Sequence, residues 1–285
     1  MTGVQTCALP IFIGEELRKS LGQPIVFENR PGAGTIVGTT EAFRAAPDGY
    51  TLLMVSATQT TTETLAPDKP YKLLRDFMPI APLMGSDLVM LVHPSSPAKT
   101  VADYVARAKA SPGKLNYASS GVGSNYHMAA ELLKTLTGVD IVHVPYRSSA
   151  GARGDIVVGQ IEMMFDALPV VVPQVEAGTL RALGTSGAAR SLALPNTPTM
   201  EEAGVKGFQA VSWIGMMAPA GTPKPIVERL NAEINKILRR PDIDSSWRKQ
   251  GADPIVMTTA EFDGLLRMEI ERWERVIKTN GIKGE

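Results

Sequence analysis

The residues best suited to hold a small polar guest lie in the stretch Ser119-Ser120-Gly121-Val122-Gly123-Ser124-Asn125-Tyr126-His127. Its two glycines and three serines leave backbone N–H groups uncovered at the positive end of a helix dipole, which is how a chain holds an anion without a full positive charge. A second reading is open on this loop alone: a tight strand-to-helix connection capped by Ser or Asn, with nothing bound. Three further places put polar residues directly after an apolar run. They are Ser56-Ala57-Thr58-Gln59-Thr60, Arg147-Ser148-Ser149-Ala150-Gly151, and Asp166. The first also reads as a solvated Thr-rich loop. Asp166 stands at the carboxyl end of a strand, where α/β sheets place their ligands, and it also reads as a cap for the following helix.

Other chemistries find little support. The three histidines, His93, His127 and His143, have no metal-ligand spacing with another His, with Cys7 or with a carboxylate pair. Ser124 and His127, three apart at a helix start, are stacked rather than opposed, and no G-x-S-x-G elbow is present. A hydrolase or transferase built on Ser124, His127 and Asp166 is the enzymatic alternative. Gly32, Gly34 and Gly38 form G-x-G-x-x-x-G, one residue off a dinucleotide fingerprint and without the acidic partner a ribose needs; close helix-to-strand packing explains them. No P-loop and no basic stripe interleaved with aromatics occurs, and Lys plus Arg balance Asp plus Glu at 29 each. Nucleic acid is therefore not an expected partner, and no cofactor is implied.

A chain of 285 residues, 44% hydrophobic, suits about two domains. No apolar run reaches the roughly 18 residues of a membrane span; Leu88 to Val92 and Val170 to Val172 are of buried-strand length. The lone Cys7 excludes an internal disulfide.

The elements that position the polar exits follow from periodicity. Phe12 to Leu21 has helical spacing and stops at Gly22. Ile25 to Phe27, Tyr50 to Val55, Leu88 to Val92, Leu115 to Ala118, Asp140 to Tyr146, Ile161 to Phe165, Leu180 to Thr185 and Val211 to Met217 read as strands. Thr100 with Asp103 and Thr258 with Glu261 form capping boxes, and Thr222 with Pro223 opens another helix. Met128, Leu132, Leu133 and Leu136 share one face of the helix after the glycine loop, which Gly138 ends. Strands alternating with helices predict a mostly parallel α/β sheet.

Read together, Glu28-Asn29-Arg30-Pro31-Gly32-Ala33-Gly34, Ala46-Pro47-Asp48-Gly49-Tyr50-Thr51-Leu52, Asp76-Phe77, Ala108-Lys109 with Pro112-Gly113-Lys114-Leu115, His143-Val144-Pro145-Tyr146, Phe165-Asp166, Pro198-Thr199 with Glu202-Ala203-Gly204, and Ala218-Pro219-Ala220-Gly221-Thr222-Pro223 resemble the Bug family. These are the extracytoplasmic solute-binding proteins of tripartite tricarboxylate transporters, and the match runs from about Phe12 to the C-terminus. The resemblance implies a periplasmic-binding-protein-like (type II) α/β fold, two lobes with a ligand cleft between them. Lobe 1 would comprise residues 12–97 plus 218–285 and lobe 2 residues 98–217. It further implies a monomer in the periplasm that captures a small carboxylate-type ligand and delivers it to membrane transporter subunits without catalysis. A periplasmic sensor serving a signalling partner would use the same residues.

By match of motif, ligand-binding roles fall to Ser56 and Thr58 in lobe 1. In lobe 2 they fall to Ser120, Gly121, Gly123, Ser124, His127, Ser148, Ser149 and Asp166, the last as an acceptor from a ligand amide, ammonium or hydroxyl, or as an orienter of water. Two departures from the family pattern stand out. Ser148 and Gly151 replace the usual Gly and Pro. The family's first strand with its Pro-Pro-Gly-Gly loop is missing, as is a secretion signal. Residues 1–11 read as a non-native leader, since Thr-Gly-Val-Gln-Thr-Cys-Ala-Leu-Pro-Ile resembles a translated sequencing adapter.

Overall fold

The computed structural model describes residues 5–30 and 32–284, with side chains from Ile11 onward. The leader expectation falls partly on residues 1–4, outside the described ones. In chain order the elements begin with α1 (Gln5–Leu21), a 3-10 turn (Ala33–Thr35), α2 (Ile36–Arg44), β1 (Leu53–Ser56), α3 (Ala57–Leu65), α4 (Leu73–Asp76), β2 (Phe77–Ser86) and β3 (Leu88–Val92). There follow α5 (Val101–Ala110), β4 (Asn116–Ser119), α6 (Asn125–Thr137), β5 (Val142–Pro145), α7 (Ser149–Val157), β6 (Met163–Ala167), α8 (Leu168–Glu176) and β7 (Arg181–Thr185). The chain closes with β8 (Ser212–Pro219), α9 (Lys224–Leu238), α10 (Pro241–Lys249), β9 (Ala252–Pro254) and α11 (Thr259–Thr279).

Two compact units result. The first takes the chain up to Gly85, Trp213–Trp247 and Asp253–Arg275; the second takes Ser86–Ser212, Arg248–Ala252 and the residues from Val276. The divisions fall at Gly85/Ser86 and Ser212/Trp213 because β3 pairs within the second unit's sheet and β8 within the first's.

In the first unit the strand order is β1-β8-β2-β9, with Leu53 to Ser56 running antiparallel to Ile214 to Met217. Val55, Tyr71, Leu73, Phe77, Trp213, Phe262 and Leu266 form its core. Helix α9 buries Val227, Leu230, Ile234, Ile237 and Leu238, the one-sided stripe its sequence prescribes. Helix α11 brings Glu269 into the interior, where its Oε2 accepts the indole N–H groups of Trp213 at 3.4 Å and Trp273 at 3.0 Å while Arg272 pairs with Oε1 at 2.9 Å.

The second unit has the order β5-β4-β6-β3-β7, in which β4 is parallel to β5 and β6 and β3 is antiparallel to β6 and β7. This sheet is mixed rather than mostly parallel. β4, β5 and β6 are joined through helices and so share a direction, whereas β3 continues from β2 across a single residue and enters the sheet between β6 and β7, running against them. All five β3 residues are buried, as their unbroken apolar run requires of a central strand. Val89, Leu91, Ala118, Ala152, Ile156, Met164 and Val171 build the core.

Several sequence expectations are corrected. Ile25 to Phe27 forms no strand; Val26 is 79% exposed and Phe27 39% exposed, with the Phe27 ring lying against Gly14 of α1. Ser56 to Thr60 is a helix start rather than a loop, because Thr60, Thr61 and Thr62 turn their hydroxyls onto the carbonyls three residues back instead of into solvent. Val170 to Val172 belongs to α8, where Pro169 occupies an early position whose N–H has no helical partner to lose. The cap position of α9 is Pro223, while Thr222 donates to the Pro219 carbonyl at 2.8 Å. Among the described residues no helix is long and apolar enough to cross a membrane.

Candidate functional site

Three adjacent parallel strands, β5, β4 and β6, deliver their carboxyl ends to the polar exits. From β4 the chain passes through the glycine loop into α6. Gly121 and Gly123 hold φ of 110° and 76°, which L side chains rarely adopt, and this turns the backbone back on itself. Ser124 is the N-cap of α6: its Oγ accepts the His127 N–H at 3.3 Å and donates to the Gly121 carbonyl at 2.8 Å. The Gly121 N–H goes to Ser119 Oγ at 3.1 Å, the Gly123 N–H to His127 Nδ1 at 3.1 Å and the Ser124 N–H to the Gly121 carbonyl at 3.2 Å. The expectation of uncovered amides is therefore corrected for Gly121, Gly123 and Ser124, which the loop spends on its own shape. The N–H groups of Ser120, Val122, Asn125 and Tyr126 stay outside this network.

Beneath the loop lies a stack of rings, with Tyr117 and His127 buried and His143 half-buried. Tyr117 and His143 are cross-strand partners on β4 and β5, so their rings meet at 4.9 Å, and His127 covers His143 at 4.1 Å. Tyr117 donates to Glu131 Oε1 at 2.6 Å, Lys134 reaches the same oxygen at 2.7 Å, and Ser119 Oγ shares a 2.6 Å hydrogen bond with His143 Nε2. Because His127 Nδ1 accepts, its neutral ring carries the proton on Nε2, 3.9 Å from Glu131 Oε1. Burial brings His127 down to about 4; burial, reinforced by the neighbouring His127, brings His143 down to about 3. Both imidazoles are thus neutral at ordinary pH.

At the other two strand ends, Ser148 caps α7 by accepting the Gly151 N–H at 3.3 Å, and Ser149 follows at its first turn. Asp166 on β6 is fully buried. Its Oδ1 accepts the Ala167 N–H at 2.8 Å and its Oδ2 the Arg153 Nε–H at 2.7 Å. Burial raises the carboxyl, and Arg153 opposes that rise. Arg153 also reaches Ser149 Oγ at 3.4 Å, and the half-buried Tyr126 lies beside Asp166, which, after burial, pushes its phenol further up. Asp166, expected as an acceptor, is enclosed here with a hydrogen bond from the protein on each of its oxygens.

Ser120, Gly121, Gly123, Ser124, His127, Ser148, Ser149 and Asp166 thus share one end of the second unit's sheet. Ser56 and Thr58 belong to the first unit. There Ser56 ends β1, and its N–H and Oγ donate to Gln59 Oε1 at 2.9 and 2.8 Å, while Thr58 lies in the first turn of α3. Sequence reasoning missed Arg153, Tyr117 and Glu131, and gave Ser119 and Tyr126 no role of their own within the stretch it singled out. The four-residue step from Ser149 to Arg153 on one helix face, and the two-residue step from Tyr117 to Ser119 on one strand face, were the available signals.

The geometry does not assemble a nucleophile. Ser124 Oγ is turned to backbone rather than to an imidazole, and Asp166 is paired with a guanidinium. Ser119 does meet His143, but Ser119 is fully buried and His143 is far too weak a base near neutral pH. Among the described residues no three His, Cys, Asp or Glu side chains come together to hold a metal.

Two α/β units with polar strand ends match the architecture of periplasmic binding proteins, and solved structures similar to this chain have it. The R. palustris protein solved with adipate superposes with a TM-score of 0.92 at 33% identity, covering 100% of this chain and 96% of that one. MatC from Rhodopseudomonas palustris, solved with malate, gives 0.86 at 33%, covering 97% and 96%, and the periplasmic binding protein BugD gives 0.88 at 28%, covering 100% and 96%. The sequence model of the tripartite tricarboxylate transporter family receptor matches residues 12–282. The chain belongs to this family of periplasmic solute-binding proteins.

Proposed function

We propose that this protein captures a small carboxylate in the periplasm and delivers it to the membrane subunits of a tripartite tricarboxylate-type transporter. The observation that carries the reading is the convergence of the glycine loop, Ser148, Ser149 and Arg153 at the carboxyl ends of three neighbouring strands. There the positive ends of α6 and α7 supply donors suited to an anion, and the N–H groups of Ser120, Val122, Asn125 and Tyr126 are those the loop has not spent. Gly121, Gly123, Ser124 and His127 act by holding the loop in shape, and Ser120, Ser148 and Ser149 contribute hydroxyls. Ser56 and Thr58 are the contribution of the first unit. The adipate and malate held by two relatives support a dicarboxylate as ligand.

Thermal unfolding of the chain with adipate, malate, citrate or benzoate tests the proposal. A ligand present at a hundred times its Kd adds about 2.7 kcal/mol, which at this size raises Tm by roughly 5–10 °C. Turnover of an ester or thioester at the same site, or no shift with any acid, would defeat it.

A further inference from the structure

The expected acceptor of the second unit, Asp166, is fully enclosed, and the partly exposed group paired with it is Arg153. Its side chain is 15% exposed, and its Nε–H is given to Asp166 at 2.7 Å and one Nη2–H to Ser149 at 3.4 Å. A guanidinium has five N–H donors. Among the described residues no further acceptor takes the remaining ones, Nη1 included. The Asp166 contact through Nε fixes the plane of the fork and leaves its terminal edge undonated, which suits a carboxylate binding in two-point fashion. Tyr126 and Ser149 beside it add hydroxyls of neutral charge.

We infer that Arg153 is the specificity-determining cation of the binding site: it takes one carboxylate of the ligand, and Asp166 is the positioning residue that aims it. This rests on the solute-binding reading and deepens it by naming what the second unit selects, an anionic carboxylate rather than the corresponding amide or ammonium group.

Calorimetric titration of adipate, malate and the monoamide adipamate into the wild-type chain, Arg153→Met, Asp166→Asn and the double variant tests it. Wild type should prefer the diacid over the amide by at least about tenfold, equivalent to about 1.4 kcal/mol. Arg153→Met should lose about that factor for the diacid and little for the amide. Asp166→Asn keeps a side-chain oxygen to accept the Arg153 Nε–H and so the aim of the fork, but removes the offsetting charge, and should raise diacid affinity relative to the amide. A purely structural pair would weaken in both single variants, each leaving a buried charge alone. The double variant carries no buried charge, and its circular dichroism and ligand-free Tm verify folding. If, folded, it binds the diacid within about twofold of wild type, or if wild type binds amide and diacid alike, the assignment of Arg153 is overturned. Absence of binding by wild type to every acid would instead bring down the solute-binding reading beneath it.

Discussion

Acidification should loosen the second unit well before its surface carboxylates titrate. His127 and His143 stack at 4.1 Å, with Tyr117 of β4 and Glu131 and Lys134 of α6 around them, and are held at about 4 and about 3 against an ordinary value of 6.5. Their contribution to stability is complete above 6.5, where neither folded nor unfolded imidazole is charged. It is lost as pH falls toward those folded values, because the unfolded chain binds protons the folded chain refuses. Between pH 7 and 5 both folded rings remain largely neutral, so the loss is that of two independent unfolded histidines, about 2 kcal/mol each and about 4 kcal/mol together. Asp166 acts with the opposite sign, since its raised carboxyl takes up a proton more readily when folded. Urea denaturation at steps from pH 7.5 to 5, on wild type and His143→Phe, isolates the term. The variant gives up the Ser119 contact and starts less stable, then regains about 2 kcal/mol relative to wild type by pH 5. Parallel curves for the two proteins across that range would refute the reasoning.

Gly123→Val should abolish the ligand-induced thermal shift, because φ of 76° is strained for a β-branched residue and the N–H to His127 is lost when the loop relaxes; retained binding counts against the loop. Tyr117→Phe should cost about 1–3 kcal/mol in urea unfolding by depriving buried Glu131 of its 2.6 Å donor, and an unchanged midpoint would show that Lys134 alone suffices. Gly215→Ala drives a Cβ into the Phe262 ring and to 3.0 Å from the Ala81 carbonyl, so the first unit should lose about 1–3 kcal/mol, read as a lowered Tm, with Phe262→Leu in the same chain restoring part of it.

The strand-loop-helix unit around Gly121 was legible because glycine punctuation and a 3.6-residue apolar stripe coincide there, and the capping boxes at Thr100 and Thr258 are written in four consecutive residues each. What the loop does with its amides was not legible. The acceptor for Gly123, an imidazole nitrogen, depends on a ring orientation fixed by Tyr117 and His143 from other elements. The pairing of Arg153 with Asp166 joins a helix to a strand through side-chain reach, for which sequence spacing carries no periodic signal. The strand direction of β3 was hidden for a similar reason, since an apolar run states burial and not polarity. Ile25 to Phe27 had the composition of a strand, but a strand exists only where a neighbour offers hydrogen bonds, and there the chain passes without one.

The carboxylate of Glu269 gathers two of the three indoles of this chain, and the third, Trp247, closes the same unit. The other unit contains none, only the tyrosines at 104, 117, 126 and 146. Light emitted on excitation at the red edge of the absorption band therefore reports one half of the molecule alone, while tyrosine ellipticity follows mainly the other. The two halves come with separate optical channels, and their melting can be told apart without adding a label.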